Sequence, residues 1–182
     1  MLALATVYLI FKKNYQSDKF ISAFLSFLWL WMGTVYHFIF FLSINKGSYL
    51  FGVLFIIEGV LLFYAGYIKQ RLSYSFRSDL YGITGMLMIL FSLVIYPVIA
   101  YFLHHTYPSS PTFGLPCPTT IFTFGLLLQN QRKTPFSILI IPLLWSLIGS
   151  TAVFLLGVAE DISLLISASI TTLLVFLKNR KT

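Results

Sequence analysis

The run from Phe20 to Ser43 is twenty-four residues long and contains one ionisable side chain, His37. As a helix rising 1.5 Å per residue it reaches about 36 Å, enough to cross the roughly 30 Å hydrocarbon core of a bilayer. Similar runs follow at 48–68, interrupted by Glu58, at 80–103 with Pro97 inside it, and at 136–158 with Pro142. Such a chain has no means of covering itself with a water-soluble surface: charged residues are 9% of it, against about 25% in an ordinary soluble domain. The expected fold class is all-α, a polytopic transmembrane helical bundle forming a single integral membrane domain over 1–182. Its segments fall at approximately 1–11, 20–43, 48–68, 80–103, 119–129, 136–158 and 162–177. The first is too short to cross alone and reads as a partial span. Lys12 and Lys13 follow it where a cleavable signal peptide would carry its charges in front.

One stretch resists the pattern. Pro111 to Leu128, PTFGLPCPTTIFTFGLLL, holds three prolines, the only cysteine and two consecutive threonines. A helix from Thr119 to Gln129 covers roughly 16 Å, about half of the hydrocarbon core. Irregular backbone at membrane depth is tolerated where protein buries it or where it lines a wet cavity. The expectation is a re-entrant loop over 111–118 and a returning half-helix over 119–129. Six neighbouring segments would shelter it.

Charge placement predicts orientation. The net charge of +7 is spread in short clusters beside apolar runs, which argues against a nucleic-acid surface. Eleven of the twelve basic residues lie in alternate connections: Lys12, Lys13 and Lys19; Lys69, Arg71 and Arg77; Arg132 and Lys133; Lys178, Arg180 and Lys181. Only Lys46 falls on the other side. Cytoplasmic loops hold such an excess, so seven crossings would leave the carboxyl terminus in the cytoplasm. A single cysteine permits no intramolecular disulfide.

Glu58 is the costliest residue, because a carboxylate near the bilayer centre costs at least about 2.5 to 3.5 kcal/mol. Counted from the turn at Lys46, His37 lies about three residues from it in depth, roughly 4.5 Å in an antiparallel pair. The pair reads as a proton relay or ligand site; the plainer reading is a structural pair joining two helices. Cys117 stands at the start of the half-helix, where positive partial charge favours a thiolate and metal binding. An isolated buried cysteine is more often a small apolar residue. Thr119 and Thr120 are ligand candidates or, more plainly, capping groups of the same turn. His104 and His105 close the fourth segment, and with Cys117 they are candidate ligands of a transition metal. No pair has diagnostic spacing. Asp161, after Glu160, reads as the cap of the last helix. Gly52, Gly59 and Gly66 recur every seven residues and make a smooth helix face; Ser163, Ser167 and Thr171 recur every four on the last segment. Trp29, Trp31 and Trp145 lie mid-segment, where packing explains them better than interface anchoring.

Three stretches, LWLWMGTVYHFIFFLSIN from Leu28, PTFGLPCPTTIFTFGLLL from Pro111 and IPLLWSLIGSTAVFLLGVAED from Ile141, carry a resemblance. Together they resemble an uncharacterised family of bacterial multi-pass membrane proteins, a domain of unknown function. The resemblance implies a bacterial inner-membrane location, a longer first segment and no inherited activity. Three functions remain in view. The first is a small-solute or ion transporter, or channel-like protein, with a site on the outer half of the bundle. A metal- or haem-binding redox protein or enzyme is the second. The third is a non-catalytic assembly or accessory subunit whose polar groups specify pairing. Expected partners are the lipid bilayer, a small solute or ion, and a second copy or another membrane protein.

Overall fold

The computed structural model describes residues 1–103, 112–151, 153 and 158–181. Seven helices stand among them: α1 (Leu2–Phe11), α2 (Ser17–Ser43), α3 (Ser48–Ile68), α4 (Leu80–Phe102), α5 (Pro116–Leu128), α6 (Ser137–Gly149) and α7 (Ile162–Lys181). Four of these, α2, α3, α4 and α7 with its leading turn Ala159–Asp161, are long and apolar enough to cross a membrane. The other three are shorter apolar helices. Side chains such as Leu50, Val53, Ile57 and Val60 on α3 face outward, which suits lipid and not water.

Three boundaries differ from expectation. α5 begins at Pro116, not Thr119. The first helical amides have no intrahelical partner, so Pro116 and Pro118 both fit the first turn, and the helix takes in the end of the stretch expected as loop. At thirteen residues it spans about 20 Å. α6 ends at Gly149, and the expected run to Val158 falls in part on residues outside the described ones. Beyond it the hydroxyls of Ser150 and Thr151 donate to the carbonyls of Leu147 and Ile148, a local bonding that competes with helix continuation. α7 runs to Lys181, past Leu177.

The chain divides into two units, and α6 belongs to the first as far as Ile141 and to the second from Pro142. In the first unit, 1–76 with 130–141, α2 and α3 form an antiparallel hairpin. The seven-residue glycine face of α3 receives α2 as expected. A Cβ on Gly52 would stand 2.1 Å from the Phe38 ring, one on Gly59 2.7 Å from Leu30 Cγ, and one on Gly66 2.1 Å from Ser22 Oγ. Trp29 is buried against Phe55, ring centroids 4.6 Å apart, whereas Trp31 faces outward beside Phe27. Both α2 and α3 widen to i→i+5 turns, over Met32–Phe40 and Phe63–Ile68.

At one end of this unit three basic connections are hydrogen-bonded together. Tyr74 pairs with Asn130 in an antiparallel bridge, and the Gln131 amide donates to Ser73 O at 2.7 Å. The buried Asn130 side chain accepts from the amides of Ser73 and Arg132 and donates to Arg132 O and Thr134 Oγ1. Asp18 accepts the Tyr74 amide at 2.7 Å and pairs with Lys13 at 3.2 Å. The Phe76 amide reaches Ile10 O. The chain turns into this layer at Gln70, whose φ is +49°.

In the second unit, 77–129 with 142–182, α5 packs against α4 and α7. Every residue from Pro118 to Leu128 is buried, as a helix apolar on all sides requires. Its closest approach is backbone to backbone: a Cβ on Gly85 would meet Gly125 O at 2.6 Å, and one on Gly125 would meet Gly85 O at 2.7 Å. Gln129 Nε2 adds a bond to Gly82 O at 2.7 Å. Asp79 caps α4, accepting the Gly82 amide at 3.0 Å and the Arg77 guanidinium. α4 widens over Phe91–Ile95 and resumes at Tyr96, so Pro97 falls in a first turn where its missing amide is harmless.

Two outcomes follow from these contacts. Gly125→Val should force α4 and α5 apart and cost about 1–3 kcal/mol, read as earlier thermal exposure of Cys117, the only thiol, to a fluorogenic reagent. Asp79→Ala should cost about 1 kcal/mol through the lost cap. Burial alone would raise the Asp79 carboxyl, but Arg77, the Gly82 amide and the Tyr81 amide outweigh it and hold it below its ordinary value. Its contribution should therefore be complete above the usual aspartate range and vanish as pH falls through the lowered value, which unfolding measured across acid pH checks.

Candidate functional site

Three elements of the second unit converge on one carboxylate. Asp161 closes the tight turn Ala159–Asp161 that leads into α7, Tyr96 opens the resumed part of α4, and Cys117 lies between two prolines in the first turn of α5. The Tyr96 hydroxyl donates to Asp161 Oδ1, and the Cys117 thiol donates to Oδ2 at 3.4 Å. Both donors are neutral, and the phenol is the stronger of the two, because a thiol S–H donates weakly. Glu160 lies within electrostatic reach of both Tyr96 and Cys117, and the Trp145 indole borders the thiol. Tyr96 is fully buried, while Asp161 and Glu160 are 3% and 4% exposed. The helix amino termini of α5 and α7 both point positive partial charge at this end. The unit's Lys178 instead senses Arg77 and Asp79 at the start of α4, seventeen residues of α7, or about 25 Å, from Asp161.

Thr119 and Thr120 are buried and serve the same turn. Thr119 Oγ1 accepts the Gly114 amide at 3.2 Å, and the Thr120 hydroxyl donates to Pro116 O at 2.7 Å. Gly114, at φ +102°, turns the chain into the helix. His104 and His105 lie outside the described residues. Among the described residues no group of three or more His, Cys, Asp or Glu side chains stands close enough to hold a metal ion. Ser163 and Ser167, with Thr84 and Met88, line an open cleft of about 280 Å³ between α4 and α7, and Thr171 closes on Met88 Sδ at 3.5 Å.

In the first unit His37 and Glu58 do not meet. The Ser48 hydroxyl donates to His37 O at 2.8 Å, and His37 Nδ1 lies 3.1 Å from the same oxygen. With its only proton committed to the carbonyl, that oxygen accepts from Nδ1–H. The ring rests against Phe55 at 4.6 Å, so His37 clips the two helices together near their turn. Phe38 faces Gly52 and Leu30 faces Gly59, a register that sets Glu58 at the level of Trp31. That level is six residues from His37, about 9 Å. Glu58 is fully buried, and neither carboxyl oxygen has a hydrogen-bond partner among the described residues.

Tyr96 is the residue that sequence reasoning missed. It is one of eleven tyrosines and sits inside an apolar run; the available signal was that a tyrosine deep in such a run needs a partner for its hydroxyl. Asp161, expected as a cap, is the acceptor that joins Tyr96 to Cys117.

Fold and site together define a class: helical proteins with helices of membrane-crossing length and a buried carboxylate gripped by a phenol and a thiol. The chain belongs, over residues 1–182, to DUF6064, a family of unknown function. No curated protein and no solved structure matches it.

Tyr96→Phe removes one donor and leaves Asp161 Oδ1 short of it. The expected loss is about 1–3 kcal/mol of stability, measurable by thermal unfolding in detergent, with Tyr101→Phe, an exposed neighbour on α4, as the unaffected control.

Proposed function

We propose that this protein is a membrane-embedded transporter or channel-like protein for a small cation, received where Asp161 holds Tyr96 and Cys117. The observation that carries the reading is a buried carboxylate engaged on both oxygens by neutral donors from two other helices. Carboxylate, phenol oxygen and sulfur supply ligands for a cation that displaces their mutual bonds. A second buried carboxylate, Glu160, adds charge beside them.

The basic connections support the placement. Those at 12–16, 69–76 and 129–136 are bonded to one another, and their excess of lysine and arginine marks them as cytoplasmic. The Asp161 end of the second unit is then its outer end. Seven segments would cross or dip into a bacterial inner membrane as one domain, with α5 as the short helix behind a re-entrant loop and the carboxyl terminus inside.

Flux of sodium, potassium, a small alkylammonium ion, zinc and copper(I) into proteoliposomes tests the reading. At least one should enter faster than in empty vesicles, and Asp161→Asn should slow it about tenfold, equivalent to ~1.4 kcal/mol of lost interaction. Flux equal to empty vesicles for all five, or unchanged by Asp161→Asn, would sink the reading.

A further inference from the structure

We propose that Glu58 is a proton-carrying site of the α3 span: a carboxyl kept neutral in the packed α2–α3 hairpin that exchanges its proton with water when the hairpin loosens. The geometry supports both halves. Glu58 is 0% exposed, and neither of its oxygens is bonded to any described residue. A carboxylate needs several donors when it leaves water, so a site without them holds the acid form.

Among the described residues, no charged side chain is positioned to replace that proton. On α2, the helix packed against α3, the titratable groups are Asp18, Lys19, Tyr36 and His37. Asp18 is committed to Lys13 and Tyr74, Lys19 lies over the Tyr67 ring, and His37 lies against Phe55 with its Nδ1 on Ser48. Tyr36 stacks on Phe41. On α3 itself the others are Tyr49, Tyr64 and Tyr67.

The surroundings also supply a way to open. Glu58 stands level with Trp31 and Met32, where α2 passes from α-helical to i→i+5 turns, and α3 makes the same change at Phe63. Such stretches recur at functional sites. Between them the seal is made by glycine contacts: Gly59 against Leu30, and Gly33 against Ile56 and the Gly52 carbonyl. Loosening there brings water to Glu58, and the proton leaves to that water while the oxygen keeps the electron pair.

A hydrophobic carbodiimide, which attacks protonated carboxyls in apolar surroundings, tests this on the intact chain in vesicles. The peptide containing Glu58 should gain the adduct mass near neutral pH, and a membrane-impermeant carbodiimide should give much less. Between about pH 5 and about pH 9 the yield should fall, by up to tenfold per pH unit above the midpoint. Glu58→Gln should abolish the adduct; Glu58→Asp keeps a carboxyl and should restore it if the glutamine variant misfolds. No adduct in folded wild-type protein, or a yield flat across that range, overturns the proposal. It does not rest on the cation reading: an adduct without cation flux leaves the proton site standing, and flux without an adduct leaves only the Asp161 site.

Discussion

Every peptide group placed in hydrocarbon must find its partner within its own helix, because neither water nor a sheet edge is there to take it. That constraint turns the long uncharged runs into rods and removes the usual reason for rods to associate, since lipid tails are as apolar as leucine. Contact then depends on how closely two backbones approach. In one unit the approach is made by Gly52, Gly59 and Gly66 against α2, and in the other by Gly85 and Gly125 against each other. Among the described residues, polar groups gather where this packing holds them, as at the Asn130 layer, the Asp79 cap, the His37–Ser48 clip, the Asp161 contact and Glu58.

How much of this was legible in the sequence follows the same physics. Run length reveals α2, α3, α4 and α7, because a helix of crossing length leaves an unmistakable uncharged stretch. The α3 glycines are visible because three of them repeat. Gly85 and Gly125 are not, since one glycine per helix has no period, and only the crossing point gives it meaning. The start of α5 was misplaced because Pro116 looks like a loop residue until its place in a first turn is considered. α6 ends early because Ser150 and Thr151 bond back to the helix, a choice that average apolarity does not register.

The candidate site was half visible. Cys117, Glu160 and Asp161 stand out as rare residues in an apolar chain, but joining Cys117 to Asp161 needs α5 and α7 side by side. His37 and Glu58 show how small a register error matters: a turn centred one or two residues earlier than Lys46 separates them by about 9 Å instead of 4.5 Å. The five acids divide by environment. Asp18, in the first turn of α2, and Asp79, at the cap of α4, pair with Lys13 and Arg77, whereas Glu58, Glu160 and Asp161 are buried. Bonded carboxyls in water-facing loops hold the ends of helices; buried ones demand a ligand, a donor or a proton.

The account stands on two buried carboxyls, Asp161 bonded on both oxygens and Glu58 bonded on neither among the described residues. Infrared spectroscopy of the protein in lipid reads both at once. It should show a protonated-carboxyl band that disappears in Glu58→Gln and a carboxylate band that shifts on adding a small cation and is missing in Asp161→Asn. A spectrum with no protonated carboxyl near neutral pH, and a carboxylate region indifferent to every cation, would contradict it.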